Sequence, residues 1–165
     1  MASKKKNPKR KASKSRATQR APRDAIALLR ADHVAVQALF DQFEKARDDA
    51  KKIKLAQTIC AELTIHTTIE EEIFYPAARE AIRDEDMLDE AEVEHASAKE
   101  LIAQIESGSP DDDKWEAKVT VLGEYIKHHV KEEQNEMFPK VRKTKLDLKA
   151  LGEQLAARKA ELQHA

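Results

Sequence analysis

The sequence predicts an all-α protein: an up-down-up-down four-helix bundle with a disordered basic N-terminal tail and an extra C-terminal helix. Three observations predict it. Apolar residues recur at helical spacing from residue 24 onward, in a chain of 165 residues with 37% charged residues and only three Gly, a composition suited to helices. The chain also echoes itself. Asp32–Glu44 (DHVAVQALFDQFE) aligns with Glu94–Glu106 (EHASAKELIAQIE), and His66–Pro76 (HTTIEEEIFYP) with His129–Pro139 (HVKEEQNEMFP), at offsets of 62 or 63. A helix pair used twice is a duplicated bundle, since a solenoid needs about three or more repeats. Finally, each of four helices carries one His in its apolar seam, and the second and fourth add a Glu four residues later.

A chain of this length suits one domain, with residues 1–23 as tail, 24–140 as bundle and 141–165 as C-terminal helix. The formal net charge of −1 is the sum of +10 in residues 1–23 and −11 in residues 24–165. The tail holds no large apolar residue beyond Met1, so it has nothing to bury against the entropy of ordering. It is either a solvated arm or a contact for nucleic acid, an anionic membrane surface or the acidic body of another copy. Lacking aromatics for base stacking, it would bind nucleic acid non-specifically and salt-sensitively. The single Cys60 cannot form an intrachain disulfide. No apolar run reaches the roughly 20 residues of a membrane span, and the N-terminus lacks the apolar core of a secretory signal. The expected location is cytoplasmic.

The first helix is expected over Asp24–Arg47, with Asp24 as N-cap and a seam of Ile26, Leu29, His33, Val36, Phe40 and Phe43. The second spans Ala50–Tyr75, through Ala56, Ile59, Leu63, His66, Glu70 and Ile73, and stops near Pro76; a short turn, Ala77–Ile82, trails it. The third, Asp84–Ser107, ends at Gly108 as C′ residue and buries Leu88, Ala91, His95, Ala98, Ile102 and Ile105. The fourth starts from Ser109 as N-cap and Pro110 at N1, with three Asp in its first turn. Its seam is Trp115, Val119, Leu122, Ile126, His129, Glu133 and Met137. A fifth, Lys143–Gln163, is amphipathic through Leu146, Leu148, Leu151, Leu155 and Leu162 and packs outside the bundle.

A half-satisfied ionisable group in a core costs several kcal/mol. One core His bonded to a carbonyl is ordinary; four at one level call for a shared cause. His33 and His95 lie about ten residues into their helices, and His66 and His129 about ten before the ends of theirs. Antiparallel neighbours rising 1.5 Å per residue bring all four into one layer. An imidazole and a carboxylate at i and i+4 share a helix face, so His66 with Glu70 and His129 with Glu133 can reach one cation each. Six N/O ligands without a thiolate are too many for one tetrahedral zinc and suit two ions bridged by the carboxylates, with positions left for water, oxygen or peroxide. The Glu-x-x-His pattern of ferritin-type sites occurs once, at Glu92–His95.

His33, His66-xxx-Glu70, His95 and His129-xxx-Glu133, with the Tyr75–Pro76 and Phe138–Pro139 endings, resemble the hemerythrin-like cation-binding domain over residues 24–140. The resemblance implies a centre of two non-haem iron ions, with Glu70 and Glu133 bridging and the four His terminal. It departs on the third helix. Oxygen-carrying hemerythrins place a second His there, but positions 91 and 99 are Ala and Lys, so four His match rather than five. That departure points away from reversible oxygen carriage, toward peroxide or NO chemistry, oxygen sensing or iron binding.

Glu71, Glu72, Glu94 and Glu132 lie near enough in sequence to fill the vacancy, although acids at such positions are normally solvated helix charge. His128 is rotated about 100° from His129 and falls outside the first ring of ligands. Tyr125, one turn before His129, could hydrogen-bond a ligand or pack at the bundle end; Trp115 is core, and His164 has no partner in reach. Three functions stay open: a di-iron protein binding or reacting with oxygen, peroxide or NO, as enzyme or sensor; an iron-handling module without turnover; and an interaction protein placed by its tail, with a metal-stabilised bundle.

Overall fold

The computed structural model describes residues 23–165, so the basic tail lies outside the described residues except for Arg23. The described chain is helical with no strand. α1 spans Ala25–Lys45, and its cap is the expected one: Asp24 Oδ1 accepts from the Ala27 amide at 2.8 Å. α2 covers Asp49–Ile69, capped by Asp48. One wide turn with i→i+5 bonding, Glu70–Phe74, then leads without a break into α3, Tyr75–Ile82. α4 is Glu85–Glu106, capped by Asp84, and α5 is Trp115–Glu132. A second wide turn, Glu133–Met137, leads into α6, Phe138–Arg142, and α7 is Leu148–Gln163, capped by Asp147. Short connections make the successive rods of the bundle antiparallel, and α1, α2, α4 and α5 close into a ring of neighbours.

Four boundaries differ from expectation. The second helix runs through Pro76. A proline ring clashes with the carbonyl four residues back and lacks an amide to donate. The wide turn, in which the Tyr75 amide bonds to Glu70 O, displaces that carbonyl ladder and absorbs both penalties. Pro139 follows the second wide turn in the same way. The fourth helix begins at Trp115 rather than at Ser109, because the Asp112 and Ser109 side chains satisfy local amides: the Ser109 amide donates to Asp112 Oδ2 at 2.8 Å, and the Asp111 amide to Ser109 Oγ at 3.3 Å. Side chains that satisfy local amides compete with the helix. Gly108 does not adopt a left-handed C′ conformation; a Cβ there would lie 2.9 Å from Trp115 Cδ1, so the glycine serves close approach. The last helix starts at Leu148, where Asp147 can accept from the Ala150 amide at 3.0 Å.

The core is in two parts. One apolar cluster, including Phe40, Phe43, Ile59, Leu63, Ile102, Trp115 and Leu122, fills the end of the bundle nearest the α1–α2 connection. The other, including Ile26, Leu29, Ile69, Phe74, Leu88, Phe138 and Leu155, fills the opposite end. Burying each such side chain contributes roughly 1.5–3 kcal/mol. Between the two lies a layer of ionisable groups. α7 packs on α1 and α2 at the second cluster through Leu151 and Leu155. A Cβ on Gly152 would stand 2.8 Å from the Ala25 amide nitrogen, so backbones meet there. No described helix is long and apolar enough to cross a membrane.

Candidate metal centre

The layer between the clusters contains the six residues that sequence spacing singles out. His33, His66, Glu70, His95, His129 and Glu133 are all buried. Their Nε2 atoms and carboxylate oxygens converge in two adjoining pockets. In the first, His66 Nε2 lies 3.0 Å from Glu70 Oε1, and His33 Nε2 lies 3.1 Å from both Glu133 Oε1 and His66 Nε2. In the second, His95 Nε2 lies 3.1 Å from Glu70 Oε2 and 3.2 Å from His129 Nε2, which is 3.4 Å from Glu133 Oε2. Each carboxylate therefore gives one oxygen to each pocket. One donor atom from each of His33, His66, Glu70 and Glu133 lies within 4.8 Å of the others, and the same holds for Glu70, His95 and His129.

The outward Nδ1 atoms are all engaged. His66 Nδ1 is 3.1 Å from Asp32 Oδ2, His33 Nδ1 is 2.9 Å from Gln134 Oε1, His95 Nδ1 is 3.3 Å from Glu71 Oε1, and His129 Nδ1 is 3.4 Å from Glu94 Oε2. These oxygens can only accept, so each Nδ1 carries a proton, and an imidazole that gives up its second proton turns its Nε2 lone pair inward. That is the tautomer a metal ligand needs. The partners obey the duplication: Asp32 and Glu94 each serve the next helix's His, and Gln134 and Glu71 occupy equivalent places in the two repeats.

Electrostatics hold the charges in place. Burial opposes the His66 imidazolium, but the Glu70 charge and the Asp32 hydrogen bond overcome it and push the group up to about 10. His129 is likewise held well above its ordinary range against burial, by Glu133 and Glu94. Burial would raise Glu70, yet His66 and His95 bring it well below the usual carboxylate range. Glu133 is lowered too, against burial and the Glu70 charge, by His129 and His33.

Glu70 Oε1 and Glu133 Oε1 are buried and accept no hydrogen bond, despite the nearby imidazole nitrogens. An orphaned buried acceptor costs about 1–3 kcal/mol, more when charged. Both orphans face the first pocket, and a cation there would satisfy them. The donor set, four imidazoles and two carboxylates, suits a first-row divalent metal. The residues fit the ions that the sequence implies.

Tyr75 is the site residue that sequence reasoning missed. Its hydroxyl is 2.8 Å from Glu133 Oε2, 3.2 Å from Glu70 Oε2, and 3.1 Å from both His95 Nε2 and His129 Nε2. Its one proton belongs on the shorter contact, to Glu133. Burial and the two carboxylate charges hold the phenol well above its ordinary pKa, hence neutral. In a regular α-helix, residue i+5 points away from residue i; the wide turn restores Tyr75 to the Glu70 face. The equivalent Phe138 lies instead at the first pocket, stacked on His33 at 6.1 Å between ring centroids. The only advance signal is the Pro six residues after each Glu.

Other candidates fall outside the layer. Glu92 is exposed and paired with Arg79, which removes a ferritin-type reading. Tyr125 is 50% exposed, outside the buried layer. Glu72 pairs with Arg158, and Glu132 with the exposed His128. Glu71 and Glu94 are not merely solvated charge, since they hold His95 and His129 from outside. Lys99, where a fifth His would stand, pairs with Glu71.

Residues 24–141 match the hemerythrin HHE cation-binding domain. A DNA nickase of Nostoc sp. is 30% identical over 115 residues, which is 70% of this chain but 32% of the nickase, so the chain spans about a third of that relative's length. The crystal structure of a hemerythrin HHE cation binding domain-containing protein from Mycobacterium kansasii superposes with a TM-score of 0.74 at 23% identity, covering 86% of this chain and 88% of that one. At that identity the likeness speaks to the fold. Because the match runs from the cap of α1 into α6, across every helix that contributes to the layer, the chain belongs to the hemerythrin HHE cation-binding domain family.

Proposed function

We propose that the chain is a non-haem di-iron protein whose centre binds or reacts with oxygen, peroxide or NO, in sensing or redox protection. The observation that carries it is the division of each buried carboxylate between two pockets, each with two imidazoles. His33 and His66 would hold one iron, His95 and His129 the other, and Glu70 and Glu133 would bridge them. When bound, the iron pair supplies redox chemistry and attachment for a small ligand. The chain supplies the rest. Asp32, Gln134, Glu71 and Glu94 fix the ring orientations, and the two apolar clusters keep bulk water from the layer. The Tyr75 hydroxyl keeps a proton beside the second pocket, where it can be donated to a bound ligand. An enclosed cavity of about 10 Å³ lies against all four imidazoles, with Val36, Leu63, Ile126 and Val130 in its wall. Its size, on the order of a single water, argues for a very small ligand over any organic substrate.

The test is metal analysis of the purified full chain, followed by absorption spectra of the oxidised protein with and without peroxide. Two irons per chain and a visible band altered by peroxide are expected. Two irons with spectra indifferent to peroxide, azide and NO would instead favour an iron-handling module without turnover. A second reading concerns residues 1–23. Their ten Lys/Arg without an acid, and a relative named as a DNA nickase, favour tail-directed contact with nucleic acid. Retention on DNA at low salt, abolished by deleting those residues, is the expected result.

A further inference from the structure

A groove between α4 and the α5–α6 rod runs from solvent to the second pocket. It encloses about 270 Å³, and Asp86, Glu90, Glu94, Glu132 and Glu136 stand along its walls. Its inner end is formed by His129 and Glu133, both buried. Among the described residues, Asp86, Glu90 and Glu136 form no ion pair, and the one lysine on the wall, Lys140, is taken up by Asp84 at 2.8 Å. Like charges left without counter-ions in a concave site focus a field that concentrates cations.

One imidazole, His128, stands at the rim of the groove, beside two of these acids. Glu94, His128 and Glu132 each bring a donor atom within 4.8 Å of the other two, and His128 Nε2 lies 3.0 Å from Glu132 Oε1. The His128 and Glu132 side chains are 65% and 42% exposed, so water would complete the coordination of an ion held there. Glu94 links this cluster to the interior, because its Oε2 is the atom 3.4 Å from His129 Nδ1. Glu133, whose Oε2 lies 3.4 Å from His129 Nε2, lines the same groove one step deeper.

We propose that Glu94, His128 and Glu132 form an outer cation site, a weak and exchangeable station through which a divalent metal reaches the buried layer. One imidazole with two carboxylates selects a first-row ion such as Fe(II) or Zn(II) over Mg(II) or Ca(II), which prefer all-oxygen sites. The loading role rests on the reading of the buried layer as a metal centre; the outer site itself does not. Among the described residues, the His128 and Glu132 side chains pair with each other and form no hydrogen bond or ion pair with the six buried ligands, so removing them alters the approach and leaves the destination intact.

The experiment compares the metal-stripped full chain with a His128→Ala, Glu132→Gln double variant. Zn(II) equilibrium dialysis should find one weak ion beyond the tight ones in the wild type and none in the variant. Anaerobic stopped-flow mixing with Fe(II) at low ionic strength should show loading slowed about tenfold in the variant, with the gap narrowing in about 0.5 M salt and the final tight stoichiometry unchanged. Glu132→Lys alone should slow loading further, and circular dichroism of both variants guards against misfolding. Loading at the wild-type rate in both variants, or a weak ion that survives in them, overturns the proposal. A chain that binds the weak ion and loses it with the double variant, yet takes up no buried iron, supports the outer site and overturns the di-iron reading.

Discussion

The two pockets of the layer are built from duplicated halves, and their differences are more instructive than their symmetry. Both have two imidazoles and one oxygen from each of Glu70 and Glu133. The first is surrounded by one acid, Asp32, one neutral amide, Gln134, and the apolar ring of Phe138. The second is surrounded by two acids, Glu71 and Glu94, and by the Tyr75 hydroxyl. Carboxylates that accept from a ligating imidazole raise its basicity. The second pocket should therefore hold the more strongly bound ion and stabilise its higher oxidation state, while the first keeps the barer surface. Duplication supplied two like pockets; the differences at Gln134/Glu71 and Phe138/Tyr75 make them unequal.

The largest expected effect comes from removing imidazoles from both pockets at once. A His66→Leu, His129→Leu double variant should lose the response of its melting temperature to Fe(II). In the wild type, metal at about a thousandfold over its dissociation constant stabilises by on the order of 4 kcal/mol. The metal-free wild type should remain helical, because the apolar clusters on both sides of the layer stay intact. Thermal melts of both proteins, with and without Fe(II), check this.

Next is pH. Without metal, His66, raised to about 10, and His129, also raised, are protonated at neutral pH. Each ion must displace one of these protons, so the affinity for each should climb about tenfold per pH unit across pH 6–8, and the joint affinity for the pair about a hundredfold. The sign for the metal-free fold is opposite. The stabilisation from a raised His66 is complete below its unfolded value near 6.5 and is lost as pH rises through about 10. Titration calorimetry in buffers of different ionisation enthalpy reads the two protons directly.

Smaller is Tyr75→Phe, which makes the pockets alike at that position. Losing one hydrogen bond to charged groups is worth about 1.5–3 kcal/mol, so ligand affinity at the iron pair should fall by roughly tenfold to a hundredfold with both ions retained. Phe138→Tyr should not restore it, since that ring faces the other pocket. Smallest is Lys159→Met. Lys159 holds Asp32 from α7, and Asp32 holds His66. The lysine is half-buried and acts on His66 only through Asp32, so the expected loss is about 1 kcal/mol of metal-dependent stability, read from the same melts.

The helical seams were legible because periodicity reports burial directly: every predicted seam residue of α1, α4 and α5 is in the core. The level of the four imidazoles followed from counting along antiparallel rods. What was not legible depended on departures from regular helix. The wide turns after Ile69 and Glu132 leave no apolar signature, and Pro76 and Pro139 read as stops when they mark register shifts. Tyr75 was hidden for the same reason. Asp32 and Glu94 were visible as acids preceding each His, but their partners sit on a neighbouring helix, which no local spacing reveals.

The central claim is that Glu70 and Glu133 each serve two ions. Metal analysis of Glu70→Ala and Glu133→Ala tests it most directly, with circular dichroism showing that both variants are helical. Two irons per wild-type chain, both lost together in either variant, are expected. A single tightly bound zinc per chain that survives both substitutions would contradict it.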